Sequence, residues 1–208
     1  FAIRTSVVLT ATLACLIPGF RAEAAETSSS VVWSQVGEDL EGEAEADRSG
    51  ASIAISEDGA RIVIGATTND SVGSASGHAR VFEWNTDLLT WSQLGTDIDG
   101  VAGGDESGAA VAISENGNRV AIGSPYHDGP ADSTGHVRVF EYDGNDWSQV
   151  GGDIEGGTLA DWFGWSVAMS SDGNRIAVGA PQTYGGGSRY GFVRVLDWDV
   201  ATSDWVQV

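Results

Sequence analysis

The chain has 208 residues, 41% of them hydrophobic, with 29 glycines against 4 prolines, a composition that suits one turn-rich globular core and excludes collagen-like or disordered classes. Thirty acidic side chains face ten basic ones, all arginine, for a formal net charge of −20. Such a surface repels phosphate backbones and anionic headgroups, which argues against nucleic acid and charge-driven membrane docking and favours cations, cationic partners or neutral glycans.

Residues 1–24 read as a secretory signal peptide. FAIRT supplies Arg4, SVVLTATLACLIPGF is an apolar run of 15, and Ala22-Glu23-Ala24 has small residues at cleavage spacing. The run falls short of the roughly 18 to 20 apolar residues that span a bilayer. The expectation is a secreted or cell-surface protein, with an uncleaved anchor as the alternative. Cys15, the only cysteine, lies inside this leader, so the mature chain would hold no disulfide, Cys-ligated zinc or cysteine nucleophile. Residues 25–30 follow as a polar linker.

From there to the end the chain repeats itself. Trp33, Trp91, Trp147 and Trp205 each open a WSQVG-like segment, at intervals of 58, 56 and 58 residues. Between them DRSGASIAISEDGARIVIGAT, DESGAAVAISENGNRVAIGSP and DWFGWSVAMSSDGNRIAVGAP are three versions of one sentence. The period exceeds that of helical repeats and approaches that of propeller blades. Each unit contains four β-like runs, for example AAVAIS, RVAIGSP, HVRVFEY and DWSQVG, and no stretch after the leader has helical periodicity. The turns EDGA, ENGN and SDGN predict tight hairpins with Gly59, Gly117 and Gly173 at positive φ. The third run does not alternate apolar with polar residues, which predicts a strand covered on both faces. The first alternates large and small, which suits the crowded inner strands of a radial array.

These residues resemble the FG-GAP repeats of integrin-α-type β-propellers. Phe163-Gly164 with Ser166-Val167-Ala168 matches FG-x-SVA, and Gly179-Ala180-Pro181 matches GAP; the first two units are degenerate copies with Ser49-Gly50 and Gly108. A secondary similarity to WD-repeat blades lies in SSDGNRIAVGA followed by FVRVLDW, and it implies a propeller as well. The expected fold is all-β: about three four-stranded antiparallel blades plus one extra strand over residues 31–208, with blade cores near 47–95, 105–151 and 161–208. Three blades do not close a ring of the usual four to eight. A fragment of a larger propeller, an open arc with exposed blade faces, is therefore expected. Integrin-type hairpins can carry calcium in a DxDxDG-like loop. EDGA, ENGN and SDGN supply at most two acidic side chains in a turn too short for six to eight oxygen ligands, so no metal or cofactor is assigned, and calcium is possible only outside this pattern.

Side chains written once per unit read as structural. Arg61, Arg119 and Arg175, Arg80, Arg138 and Arg194, and Asp47, Asp105 and Asp161 are such sets; they predict turn capping and inter-strand pairing. The four repeat tryptophans, with Trp84, Tyr142 and Trp198, are assigned to the core. His78 and His136 share a position that Phe192 fills in the third unit, which implies packing. His127 has no cysteine or second unpaired histidine at metal spacing and reads as an exposed loop histidine. No GxSxG, HExxH or phosphate-binding loop is present.

Trp162 and Trp165 differ, because their counterparts are Arg48 and Ala51, then Glu106 and Ala109. With Tyr126, Tyr184 and Tyr190 on inter-strand loops they are the ligand-binding candidates, offering stacking surfaces to a sugar or peptide. The expected function is a non-catalytic binding or adhesion scaffold for protein or glycan partners. The alternative is an extracellular carbohydrate-active enzyme on the same architecture, using a carboxylate pair.

Overall fold

A computed structural model describes residues 33–181 and 190–208. The signal peptide and linker, residues 1–30, and Tyr184 lie outside the described residues. The chain divides into two compact units, Phe1–Gln35 and Val36–Val208, and the architecture below is that of the second. Every regular element among the described residues is a strand.

Blade one consists of β1 (Ser49–Ile55), β2 (Arg61–Ala66), β3 (His78–Asn85) and β4 (Thr90–Gln93), paired in that order, with the short β5 (Ile98–Asp99) on the other side of the start of β3. Blade two repeats the plan with β6 (Ala110–Ile113), β7 (Arg119–Ser124), β8 (His136–Tyr142), β9 (Trp147–Gln149) and the short β10 (Ile154–Glu155), which pairs with β8. Blade three is β11 (Ser166–Met169), β12 (Arg175–Ala180), β13 (Phe192–Asp199) and β14 (Asp204–Gln207). All pairs are antiparallel. The three antiparallel sheets are the propeller-type blades that the repeat predicts. The short β5 and β10 have no counterpart in the sequence reading.

The hairpin turns follow one recipe. Gly59, Gly117 and Gly173 adopt φ of 70°, 69° and 72°, a region open to glycine because it has no Cβ. Ser170 Oγ donates to Asp172 Oδ1 (2.6 Å), which also accepts the Asn174 amide (3.0 Å); Ser56 with Asp58 and Ser114 with Asn116 do the same. These bonds hold the Asp172 carboxyl down to about 2, the Ser170 hydroxyl contributing most. Asp58, Asn116 and Asp172 thus each cap their own turn.

Successive blades are joined by backbone and by repeated side chains. A Cβ at Gly65 would overlap the Gly108 carbonyl of the next blade, and one at Gly123 would overlap the Gly164 carbonyl. Gly108 and Gly164 themselves sit at φ 86° and 93°. The FG glycine of one blade thus docks its carbonyl on the glycine that opens the GAP-like motif of the blade before it, which is why both are glycine. Trp147 Nε1 donates to Leu94 O (2.7 Å) and Trp205 Nε1 to Val150 O (2.9 Å), tying each fourth strand to the blade before. Arg61 pairs with Glu83 and Arg119 with Glu141, and each also donates forward to the Gly117 or Gly173 carbonyl.

One apolar cluster, with Val63, Val81, Val120 and Ile122, fills the first joint; another, with Val137, Val139, Phe163, Ile176 and Val178, fills the second. The first five residues of both β3 and β8 are buried, His78, Arg80, His136 and Arg138 included, as the lack of apolar–polar alternation predicts, whereas β13 is half-open. On β1, Ala54 packs on the core while Ile53 and Ile55 are exposed; Val193 of β13 is exposed likewise. Of the aromatic side chains assigned to the core, Trp205 is buried, Tyr142, Trp147 and Trp198 pack half-buried against the clusters, Trp84 and Trp91 are half-buried outside them, and Trp33 fails outright. Trp33 is 93% exposed; it belongs to the unit ending at Gln35, and no indole N–H bond of the kind that holds Trp91, Trp147 and Trp205 is seen for it among the described residues.

Candidate functional site

The loops that flank the second joint gather the side chains the repeat does not require. Asp161, 1% exposed, accepts the Gly157 (3.0 Å) and Thr158 (2.7 Å) amides and binds the Thr158 hydroxyl. Asp47 and Asp105 perform the same task for Ala44 and Ala102. This pinned turn forces the following residue to positive φ in every blade: 56° at Arg48, 50° at Glu106 and 54° at Trp162. A bulky side chain rarely adopts that conformation. The indole of Trp162 is thereby set against that of Trp165, stacked at 5.4 Å between ring centroids and 20° between planes. Tyr126, from the loop after β7, meets both edge-on at 5.6 and 6.4 Å.

Three of the five candidate residues are therefore in contact. Tyr190 is 86% exposed, and among the described residues no ring contact joins it to the three. Trp165 is half-exposed and borders a shallow groove of about 270 Å³, lined also by Ser166, Phe192 and Val193. Burial, and then the negative charge of Glu106, pushes the Tyr126 phenol up, keeping it a neutral donor. A flat, amphipathic trio of this kind can stack on a sugar ring or an apolar peptide side chain while the phenol hydrogen-bonds.

Beside Tyr126 the expectation for His127 is overturned. Its side chain is only 13% exposed, and its ring stacks on that of His136 at 3.9 Å between centroids. Nδ1 lies 2.9 Å from Asp105 Oδ2; a carboxylate only accepts, so Nδ1 carries a proton and donates it to this bridge, which leaves Nε2 as the ring nitrogen turned toward other groups. Nε2 in turn lies 3.9 Å from Glu155 Oε1. His136 is fully buried, and neither of its ring nitrogens has a hydrogen-bond partner among the described residues; Glu155 Oε2 is also buried and unpartnered. Burial, with the nearby positive charges of His127 and Arg138, pushes His136 down to about 3, so the imidazole is neutral at ordinary pH. Burial also raises the Glu155 carboxyl, against the opposing pull of His127. One donor atom from each of His127, His136 and Glu155 lies within 4.8 Å of the others.

Two features of this cluster escape the linear sequence. β10 delivers Glu155 opposite His136 by a pairing of only two residues. The loop between β7 and β8 folds His127 back over His136, nine positions later. One signal was available: His127 is unique at a position that carries Asn69 in the first unit.

Residues 155–195, which run through β11, β12 and into β13, match the FG-GAP repeat family. No curated protein matches the chain. Among the solved structures similar to this chain are two that are each described as a "putative 6-phosphogluconolactonase". The one from Bacteroides uniformis ATCC 8492 is 15% identical with a TM-score of 0.49, over 75% of this chain and 39% of the other. The one from Bacteroides fragilis NCTC 9343 is 12% identical with a TM-score of 0.49, over 75% of this chain and 36% of the other. The chain spans well under half the length of either.

Proposed function

From a chain whose third blade is an FG-GAP repeat, we propose a non-catalytic binding scaffold that recognises a glycan or protein partner through the aromatic trio Tyr126, Trp162 and Trp165. The observation that carries this reading is the contact among three rings that the repeat does not demand. Their counterparts in blade one are Thr68, Arg48 and Ala51, so the trio is an addition to the blade plan. Its place on loops, half-exposed beside a groove, suits recognition better than core packing. The net charge of −20 supports a neutral or cationic partner over nucleic acid. Export to the cell exterior is part of the proposal and rests on the leader-like first 24 residues.

A glycan array probed with the whole chain tests this directly. Trp162→Ala and Trp165→Ala should each weaken the best glycan by about 2 kcal/mol, the usual cost of truncating a central aromatic contact. Equal binding by both variants would remove the trio from the site. Turnover of a bound glycan, abolished by one carboxylate substitution, would replace the scaffold with the carbohydrate-active alternative.

A further inference from the structure

Blades one and two place matching residues around a buried histidine, and the two sets differ in a telling way. In blade one, Asn69 Nδ2 donates to Asp47 Oδ2 (3.0 Å), and Ser71 Oγ donates to Asp99 Oδ1 (2.5 Å). In blade two the Asn position is His127, which keeps the aspartate bridge through Nδ1 to Asp105. The Ser71 position is Gly129, and the Asp99 position is Glu155. Any Cβ at residue 129 would overlap Glu155 Oε2. Blade two has therefore lost the hydroxyl that occupies the carboxylate and gained a nitrogen that the aspartate bridge does not need.

The remaining groups are short of partners. Among the described residues, both ring nitrogens of the fully buried His136 lack a hydrogen-bond partner, Nδ1 lying 3.8 Å from Asp153 Oδ2, and the buried Glu155 Oε2 lacks one as well. Buried polar groups in native proteins are nearly always satisfied, so an orphaned cluster asks for an explanation. An imidazole whose Nδ1 is held by a carboxylate, with Nε2 directed at other donors, is the arrangement that orients histidine for a metal. We propose that His127 Nε2, His136 and Glu155 bind a divalent transition-metal ion of the zinc class, with Asp105 fixing the His127 ring. Two imidazoles and one carboxylate select such an ion over calcium or magnesium, which take oxygen. Bonds of about 2.0–2.2 Å require the donors to close by roughly 1 Å from the separations in the free site. The half-open side of Glu155 leaves room for a fourth ligand from solvent or a partner. In blade one the comparable group, Glu43, His78 and Asp97, has a single imidazole and serves as the internal control.

The test uses the whole chain, stripped with a chelator and titrated with zinc by calorimetry, and with cobalt by visible absorption. One zinc per chain should bind saturably and raise the melting temperature, as for any ligand that binds only the folded state. Cobalt should give the intense visible bands of a low-coordinate nitrogen-containing site. His127→Asn copies blade one and preserves the Asp105 bridge; it should keep the metal-free melting temperature while lowering zinc affinity at least tenfold. Glu155→Gln should weaken binding independently, and His78→Gln should leave it unchanged. The absence of saturable zinc binding, full affinity in His127→Asn, loss on His78→Gln, or displacement of zinc by millimolar calcium would each overturn the assignment.

Discussion

The two blade joints share one skeleton and differ in what they display. In both, a positive-φ glycine lays its carbonyl on a glycine of the preceding blade, an indole N–H reaches back to a carbonyl, and an arginine reaches forward to a turn. At the first joint the residue before the docking glycine is Ser107, fully buried with no hydrogen-bond partner for its hydroxyl among the described residues; at the second it is Phe163, fully buried under Arg194 at 4.6 Å and beside Phe192. Arg48 and Glu106 occupy the strained turn position in the first two blades, whereas the third places Trp162 there. The contrast separates the parts that build a blade from the parts that make one joint different from another.

Phe163→Ala tests that separation most severely. It should cost about 3–5 kcal/mol, the usual range for emptying a buried aromatic site, whereas Ser107→Ala should change stability by less than about 0.5 kcal/mol, because its hydroxyl makes no bond to lose. Chemical denaturation of the two variants reads the difference, and similar losses would erase the contrast. Gly65→Ala and Gly123→Ala probe the shared skeleton. Each forces a methyl group onto a neighbouring backbone carbonyl, so both should lose about 1–3 kcal/mol by the cost of overpacking. A large gap between them would show that the joints are not built alike.

The smallest effect belongs to the hairpin turn that Arg119 reaches at the second joint. Asp172 is held at about 2 in the folded chain, below the ordinary 3.8. A depressed carboxylate stabilises the fold above its unfolded pKa, and that contribution disappears as pH falls through the folded value. Asp172→Asn should therefore lower the melting temperature slightly at neutral pH, and the gap to wild type should close between about pH 4 and pH 2. A gap that is constant across this range would mean that charge plays no part in the turn.

Most of the blade plan is legible because it is local and written three times. The hairpin glycines, the four runs per unit and the arginine pairs follow from neighbours along one sheet, and repetition separates them from noise. Trp162 and Trp165 emerge by subtraction of one unit from another, and Tyr126 joins them only because the blades are adjacent in space. The misreadings have a common physical origin. Trp33 carries the repeat signature without the buried setting, since a motif fixes a side chain and not its neighbours. His127 looked isolated because its partners come from a chain reversal and a two-residue strand, contacts with no periodicity to announce them.

The Gly123–Gly164 joint reaches beyond stability. Tyr126 stands three residues after Gly123, and Trp162 and Trp165 flank Gly164. A joint of backbone against backbone is a hard stop without rotamers, so the rings on its two sides are held at a fixed spacing before any partner arrives. Binding there would order few side chains, and the entropy saved is affinity gained.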